Sequence, residues 1–275
     1  MSNATILVCC HKPDWFANTP GYLPIHAGKA ISKYNLGIQG DDTGDNISEK
    51  NPNFCELTAL YWLWKNGPHS KYVGLTHYRR YFDFKNKLPW GSAKLEVKPE
   101  DIIKNPPLIP DLDPIFKRYD IIIPMPAYFP VSAATFYCAS HVTEDYDILQ
   151  NVIKEKYPEY IPAFRRVMHD NKLSLYNMMI TRRELFDEYC EWLFSILFEV
   201  EERIIYSPYP YQQRVFGFMS ERLLNVWIEH KKLRALKLPV TLVTDNPNTY
   251  PNWKTGLVSL RWTLGFRIMN LGRKK

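Results

Sequence analysis

The sequence predicts an α/β fold with a mostly parallel central sheet flanked by helices. Short apolar runs, typical of buried strands, alternate with longer stretches whose apolar residues recur at helical spacing. The 275 residues are 45% hydrophobic and 15% aromatic, which supplies a sizeable core. No Gly/Ser-rich linker marks a boundary, so we predict one domain over residues 1–245 and a helical C-terminal part ending in a tail over 246–275.

The elements follow in chain order. The apolar run 5–10 predicts a first buried strand, and further strands are expected at 71–75, 119–123, 174–180 and 240–243. Helices are expected at 54–65, 135–156, 163–168, 183–205 and 213–230. For the first of these, Asn53 is the expected N-cap, and Gly67-Pro68 the stop signal. In such sheets ligands bind beyond the carboxyl ends of the strands, so polar residues that follow strands are the candidates for function.

The net charge of +6 is confined to the tail. After Asp245 the chain has no acidic residue and six basic ones: Lys254, Arg261, Arg267, Arg273, Lys274 and Lys275. The remaining body is neutral, which argues against a broadly basic nucleic-acid-binding face. Leu257, Leu260, Leu264, Ile268 and Leu271 share one face of a predicted helix, a pattern that suits an anionic membrane surface. The alternative is a C-terminal helix that packs on the core or mediates a dimer.

Several common catalytic motifs are absent from the sequence. There is no GxxxxGK[ST], which disfavours a P-loop NTPase, and no GxGxxG after a strand, which disfavours a dinucleotide-binding domain. There is also no GxSxG, which disfavours the nucleophile elbow of a hydrolase, and no closely spaced histidine pair, which disfavours a zinc enzyme. The five cysteines show no CxxC spacing, so a disulfide framework is not expected and a cytoplasmic location is.

The strongest local feature is the segment YVGLTHYRRYF at 72–82. A buried strand here delivers His77, Tyr78, Arg79 and Arg80 to the ligand edge of the sheet. Two guanidinium groups suit a diphosphate, because each can bind phosphate oxygens bidentately. The alternative is an arginine pair that faces solvent or forms a salt bridge with Asp83.

Three further polar features are candidates. Asp41, Asp42 and Asp45 lie in one loop that suits sugar hydroxyls or a metal ion, or is simply a solvated turn. Asn177 lies on or beside a strand end, where its side-chain amide would hydrogen-bond to a ligand or to the backbone. Glu221 is a candidate general base, and the alternative is an acidic residue in the first turn of a helix. The DxD triplets at 111–113 and 145–147 follow no buried strand, so neither is predicted to bind metal.

Together these segments resemble a family of bacterial glycosyltransferases encoded in capsule, exopolysaccharide and O-antigen loci, long catalogued as a domain of unknown function, with galactofuranosyltransferase-like members. The resemblance covers roughly residues 4–230. The matching segments are GDNISEKNPNFCELTALYWLWKN, YVGLTHYRRYF, YDIIIPMP, NMMI with YCEWLF, and YQQRVFGFMSERLLNVW.

The resemblance implies a GT-A-like nucleotide-sugar fold and transfer of a hexose, galactofuranose or galactose, from a UDP-sugar to a lipid-linked polysaccharide acceptor. It implies Glu221 as the catalytic base of an inverting reaction, with Arg214 and Arg222 toward the acceptor. The implied donor-binding residues are His11, Lys12, Asp41, Asp42, Asp45, His77, Tyr78, Arg79, Arg80 and Asn177. HYRR stands where many GT-A enzymes carry a metal-binding DxD, so we expect no metal or other cofactor, with Mn²⁺ or Mg²⁺ as the alternative.

We therefore predict a cytoplasmic polysaccharide glycosyltransferase held on the inner face of the plasma membrane by its tail, with no nucleic-acid partner. The alternative is a non-catalytic nucleotide- or glycan-binding module of a polysaccharide assembly complex.

Overall fold

The computed structural model describes residues 3–85, 94–247 and 252–269. It contains the following strands: β1 Ala4–Cys10, β2 Tyr22–His26, β3 Gln39–Gly40, β4 Tyr72–His77, β5 Arg80–Phe82, β6 Lys94–Val97, β7 Ile121–Pro124, β8 Ala127–Tyr128, β9 Lys172–Leu173, β10 Met179–Arg182, β11 Ala235–Leu238 and β12 Val240–Val243. The α-helices are α1 Asn51–Phe54, α2 Leu57–Asn66, α3 Pro99–Lys104, α4 Asp113–Phe116, α5 Ala133–Ser140, α6 Thr143–Lys156, α7 Ile161–His169, α8 Arg183–Glu201, α9 Val215–Lys231 and α10 Asn252–Met269.

The predicted α/β fold is confirmed. One mixed sheet runs in the order β11-β7-β10-β4-β1-β2-β3, and its central pairs β1–β4 and β1–β2 are parallel. Strand β10 runs antiparallel to both of its neighbours, β4 and β7. The short strand β5 turns back from β4 and pairs with β12, which extends the sheet beyond this path.

Both faces of the sheet are covered, as the uninterrupted apolar run of the first strand indicates. Every residue of β1 is buried. Leu7 and Cys9 contribute to one core cluster, which includes the apolar faces of α2, α8 and α9. Ile6 and Val8 contribute to a second cluster on the opposite face of the sheet. The helices and loops therefore cover both faces of the sheet, so a polar ligand would be expected to bind at a sheet edge.

Two of the predicted helices are each divided into two in the structure. The helix expected at 54–65 begins instead as α1, breaks at Cys55, whose φ is 53°, and resumes as α2. Asn53 is therefore not an N-cap: it lies inside α1, and its side-chain amide donates to the carbonyl oxygen of Gln213. The helix expected at 135–156 is likewise divided into α5 and α6.

One strand was expected at 174–180, and the observed strand β10 covers only Met179–Arg182. Tyr176 and Asn177 both have φ values in the left-handed region, 76° and 53°, which is incompatible with a strand. The segment before β10 is therefore a turn. This difference moves two polar residues from the sheet to its edge.

Candidate active site

A cavity of about 700 Å³ lies at the edge of the sheet where β1 and β4 end. Seven residues selected from the sequence line it: His11, His77, Tyr78, Arg79, Arg80, Arg214 and Glu221. The lining residues that were not selected include Asn51, Cys55, Glu56 and Tyr176. The cavity occupies the position where α/β sheets bind ligands, as the strand order predicts.

Strand direction explains why distant segments meet here. In the parallel pair β1–β4, Cys9 lies opposite His77, so both strands end at the same edge. Because β10 is antiparallel to β4, with Met179 opposite Leu75, β10 begins at the edge where β4 ends. The turn at Tyr176 and Asn177 therefore reaches the cavity from the start of its strand.

The two neighbouring arginines after β4 have different surroundings. Arg79 donates through Nε to Asp14 at 2.8 Å, and its Nη1 lies 3.4 Å from Asp245. Arg80 forms no ion pair with any described carboxylate, and its buried Nε has no hydrogen-bond partner in the described structure. Its guanidinium lies 4.8 Å from the ring centroid of Tyr176, an arrangement that holds the group by a cation–π contact. Arg80 is thus held in place by the Tyr176 ring, and its charge acts at longer range on Glu221, where it lowers the pKa of the carboxyl group.

His77 links strand β4 to the Tyr176 turn. Its ring is buried, and Nε2 lies 2.7 Å from the carbonyl oxygen of Tyr176. Burial lowers the pKa of His77, and the nearby Glu56 carboxylate opposes that shift. A neutral ring that donates from Nε2 satisfies the carbonyl without adding another buried cation beside Arg80.

The turn itself is a second connection point. The side-chain amide of Asn177 donates to Glu56 Oε1 at 2.6 Å and to the carbonyl oxygen of Gly217 at 3.1 Å. The backbone N–H of Tyr176 donates to Glu221 Oε1 at 2.8 Å. Two consecutive non-glycine residues with positive φ carry backbone strain, and these bonds offset it. Strain of this kind is typical of functional sites.

Glu221 lies in α9 beyond the first turn, which contains no acidic residue, so the alternative of a first-turn helix acid is wrong. The Glu221 carboxylate is held from two sides. Oε1 accepts the Tyr176 N–H, and Oε2 accepts from Arg222 Nη1 at 3.1 Å. Burial raises the pKa of Glu221, while the Arg222 charge and the Tyr176 N–H oppose the rise. Arg222 is itself only 3% exposed and does not line the cavity.

Glu56 and Arg214 complete the charged lining. Glu56 is the N-cap residue of α2, immediately after the break at Cys55, and it accepts from Asn177. Arg214 precedes α9; its Nε lies 3.4 Å from Cys55 Sγ, and no described carboxylate forms an ion pair with it. One sequence signal could have identified Glu56, because it is the one acidic residue in the run 51–66.

The acidic loop lies elsewhere. Asp41 is fully buried, and its carboxylate accepts from the N–H groups of Gly28 and Lys29 and from the Ser48 hydroxyl. Asp42 is exposed, and Asp45 accepts from the Tyr61 hydroxyl at 3.1 Å. None of the three lines the cavity, and neither does Lys12 or Asn177. Within residues 3–85, 94–247 and 252–269 no group of three or more His, Cys, Asp or Glu side chains is placed to hold a metal ion.

The DxD triplets also lie outside the cavity. Asp113 begins α4 and accepts from Lys71 Nζ at 2.7 Å and from the Tyr72 hydroxyl at 2.6 Å. Asp145 and Asp147 lie within α6, as predicted.

Two similarities to known proteins accompany this geometry. Residues 5–232 match the sequence profile of a family described as a domain of unknown function, DUF4422. The chain is also similar to a solved structure described as the apo form of the bifunctional glycosyltransferase WbbM, with 31% identity and a TM-score of 0.74. That match covers 90% of this chain and 46% of the other, so this chain spans slightly less than half of that protein's length. No curated protein matches the chain.

Proposed function

The chain belongs to the DUF4422 family, and we propose that it is a glycosyltransferase that moves a hexose from a UDP-sugar to a lipid-linked polysaccharide acceptor. The similarity to a bifunctional glycosyltransferase supports the transferase class. The observation that carries the proposal is the cavity itself. It combines two guanidinium groups that form no ion pair with a described carboxylate, Arg80 and Arg214, with two carboxylates, Glu56 and Glu221.

Arg80 and Arg214 are the proposed diphosphate ligands. Transfer of the sugar leaves a nucleoside diphosphate, and fixed cations that face the leaving oxygens stabilise the charge that develops there. An arginine already paired with a carboxylate is a weaker ligand, since binding must compete with the existing pair. Arg79 therefore belongs at the rim of the donor site, where its bonds to Asp14 and Asp245 hold the loop after β4.

The remaining donor contacts are proposed from position. His11 and Tyr78 form an edge-to-face pair with ring centroids 5.4 Å apart at the mouth of the cavity, which offers an aromatic surface to a base or sugar ring. The proposals for Lys12, Asp42 and Asp45 rest on sequence alone. For Asp41 and Asn177 we propose an indirect effect on donor binding, because Asp41 holds the neighbouring loop and Asn177 contacts Glu56.

We propose an inverting reaction without a metal ion, with galactose or galactofuranose as the transferred sugar. The arginines would neutralise the diphosphate, as a divalent cation does in other enzymes. Turnover in EDTA equal to turnover in buffer is the expected result. Loss of turnover on chelation, restored by Mn²⁺, would show that the arginines do not replace a metal.

Binding of the donor is the first test of the function. A thermal-shift panel of UDP-, GDP- and dTDP-sugars should raise the midpoint of unfolding with the UDP-sugars alone, because a ligand that binds only the native state stabilises it. Release of UDP in the presence of octyl β-galactoside should follow. Binding without release would identify a non-catalytic nucleotide-binding module, and no binding at all would contradict the proposal.

The C-terminal helix is the proposed contact with the inner face of the plasma membrane, which places the enzyme in the cytoplasm. The predicted helix is confirmed over Asn252–Met269; Asn270, Leu271 and Lys274 lie outside the described residues. Its exposed apolar side chains include Leu257, Val258, Trp262, Leu264 and Ile268. Exposed Arg261 and Arg267 add positive charge, and this combination suits anionic lipid. None of the described helices is long and apolar enough to span a bilayer.

Liposome flotation tests this contact. A chain truncated after Asn252 should remain folded and lose its binding to vesicles that contain phosphatidylglycerol. Arg261→Gln with Arg267→Gln should weaken binding to these vesicles while leaving the apolar residues in place. Undiminished binding of the truncated chain would refute the anchor, and a change from dimer to monomer on truncation would identify the helix as a subunit contact.

A further inference from the structure

We propose that Glu56, rather than Glu221, is the carboxylate that takes the proton of the acceptor hydroxyl, and that Glu221 is a positioning residue. The inference rests on the proposed glycosyltransferase function and divides the work between the two carboxylates of its cavity. It differs from the sequence-based assignment, which selected Glu221 and did not consider Glu56.

Glu221 already has a structural task. One of its oxygens fixes the backbone N–H of Tyr176, in a turn where two consecutive residues hold positive φ. That turn presents the Tyr176 ring to Arg80 and the Asn177 amide to Glu56. Glu221 therefore acts on two other cavity groups through the turn.

Arg222 limits what Glu221 can do. The Arg222 side chain is almost completely buried, and its hydrogen bonds go to Glu221 and to the carbonyl oxygen of Phe218; its buried Nε has no partner in the described structure. A guanidinium remains protonated in proteins, so a Glu221 that took up a proton would leave a buried cation without its counter-charge. A raised pKa alone would favour Glu221 as a base, and the ion pair decides against it.

Glu56 has the opposite arrangement. Its Oε1 accepts from a neutral amide, that of Asn177, and no hydrogen bond or ion pair to its Oε2 occurs within the described residues. The carboxylate lines the cavity near His77 and Arg214, whose pKa values its charge raises against the effect of their burial. Asn177 fixes the direction of the side chain and leaves one oxygen available. Glu56 can therefore gain a proton without breaking an ion pair of the kind that Glu221 forms with Arg222.

The step balances without any further reactant. The acceptor oxygen forms a bond to the anomeric carbon while the bond from that carbon to the diphosphate oxygen breaks, and its electron pair leaves with the diphosphate. The acceptor proton passes to Oε2 of Glu56. Arg80 and Arg214 face the leaving group, so the negative charge moves from the carboxylate toward the two cations.

Two isosteric variants test the division: Glu56→Gln and Glu221→Gln. Glu56→Gln keeps an oxygen that can accept from Asn177, so we expect it to fold, to bind UDP normally and to lower kcat by about 1,000-fold, in the range typical of a lost general base. Glu221→Gln loses the charge opposite Arg222, so we expect a lower melting temperature and a higher KM for the donor, with kcat reduced by less than about tenfold. Glu229 is an exposed carboxylate on the same helix as Glu221, so Glu229→Gln is the control. It should change neither kcat nor the KM for the donor.

The assay uses the full chain with UDP-galactose and UDP-galactofuranose as donors, octyl β-galactoside as acceptor, and UDP release as the readout; UDP binding is followed by calorimetry. A Glu221→Gln enzyme with the larger loss of kcat, or equal losses in the two variants, would overturn the assignment while leaving the proposed function intact. A wild-type chain that neither binds UDP nor releases it from either donor would overturn both. Partial activity of Glu56→Asp beside an inactive Glu56→Gln would support a base role, since a carboxylate is then required rather than a hydrogen-bond acceptor.

Discussion

Two polar regions of the molecule invite comparison: the acidic loop around Asp41 and the turn at Tyr176 and Asn177. The acidic loop is the more conspicuous in the sequence, with three aspartates within five positions. In the folded protein its buried carboxylate is satisfied by the N–H groups of Gly28 and Lys29 and by the Ser48 hydroxyl. The turn is short and mixed in composition, yet it contacts His77, Arg80, Glu56 and Glu221.

The candidate site is thus distinguished by polar atoms without partners that line a cavity, and not by a high density of polar residues. Arg80 has a buried nitrogen without a partner, and Oε2 of Glu56 accepts no hydrogen bond within the described structure. The Asp41 carboxylate has no comparable capacity left. A buried polar group without a partner costs free energy in the empty protein, so a ligand that satisfies it gains affinity.

The largest expected effect concerns the two arginines after β4. Arg80→Ala should weaken UDP binding by at least about 100-fold, because charge-assisted hydrogen bonds to the phosphates are lost and only Arg214 remains of the two proposed diphosphate ligands. Arg79→Ala should weaken binding by less than about tenfold, since Arg79 is already paired with Asp14. Calorimetry with UDP measures both. Equal losses would show that the pairing of Arg79 breaks on binding, and would remove the distinction between rim and site.

The next effect concerns stability. Asp41→Ala should lower the free energy of unfolding by about 3 kcal/mol, because two backbone donors and one hydroxyl lose a buried charged acceptor. Asp42→Ala, at an exposed neighbouring position, should change it by less than about 0.5 kcal/mol. Urea denaturation measures both values. An Asp41→Ala protein of unchanged stability that no longer binds UDP would place the acidic loop in the donor site after all.

The smallest expected effect is a pH dependence at the turn. Burial lowers the pKa of His77 in the folded protein below its unfolded value of about 6.5. Neutral His77 therefore contributes stability that is fully present above that value and is lost as the pH falls through the folded pKa. His77→Gln should make the melting temperature less sensitive to pH below about 6.5. The residual sensitivity should come from His11, His26 and His141, whose pKa values burial also lowers, and from Asp145, whose pKa burial raises to about 6. An unchanged slope in the variant would show that His77 is not the group that titrates.

Much of the fold could be predicted because it depends on local pattern. The run 5–10 is a buried strand because its residues are apolar on both faces, and Val240–Val243 forms a strand as expected. The prediction of a strand at 174–180 was wrong in its first part. Two non-glycine residues there have positive φ, and the spacing of apolar residues along the sequence does not reveal backbone conformations of this kind. The division of the helix at Cys55 was missed for the same reason.

The candidate site could be predicted only in part. His77, Arg79 and Arg80 were found because they follow a recognisable strand, and position after a strand is a property of the sequence. Glu56 was missed because it lines the cavity only as a result of the helix break at Cys55, and the helix propensities of these residues do not predict that break. The contrast between Arg79 and Arg80 depends on Asp14 and Asp245, which are 65 and 166 positions away from Arg79.

Three properties could be predicted from the amino-acid sequence: the α/β class, the strand that delivers two arginines to the ligand edge, and the concentration of positive charge after Asp245. These properties follow from composition and short-range period, which act within a few residues of chain. The folded structure was needed to show which arginine forms ion pairs, which carboxylate is held by a buried cation, and which polar turn faces the cavity. Those outcomes depend on which distant groups satisfy one another, and burial makes that pairing decisive because an unpaired charge is costly once water is excluded.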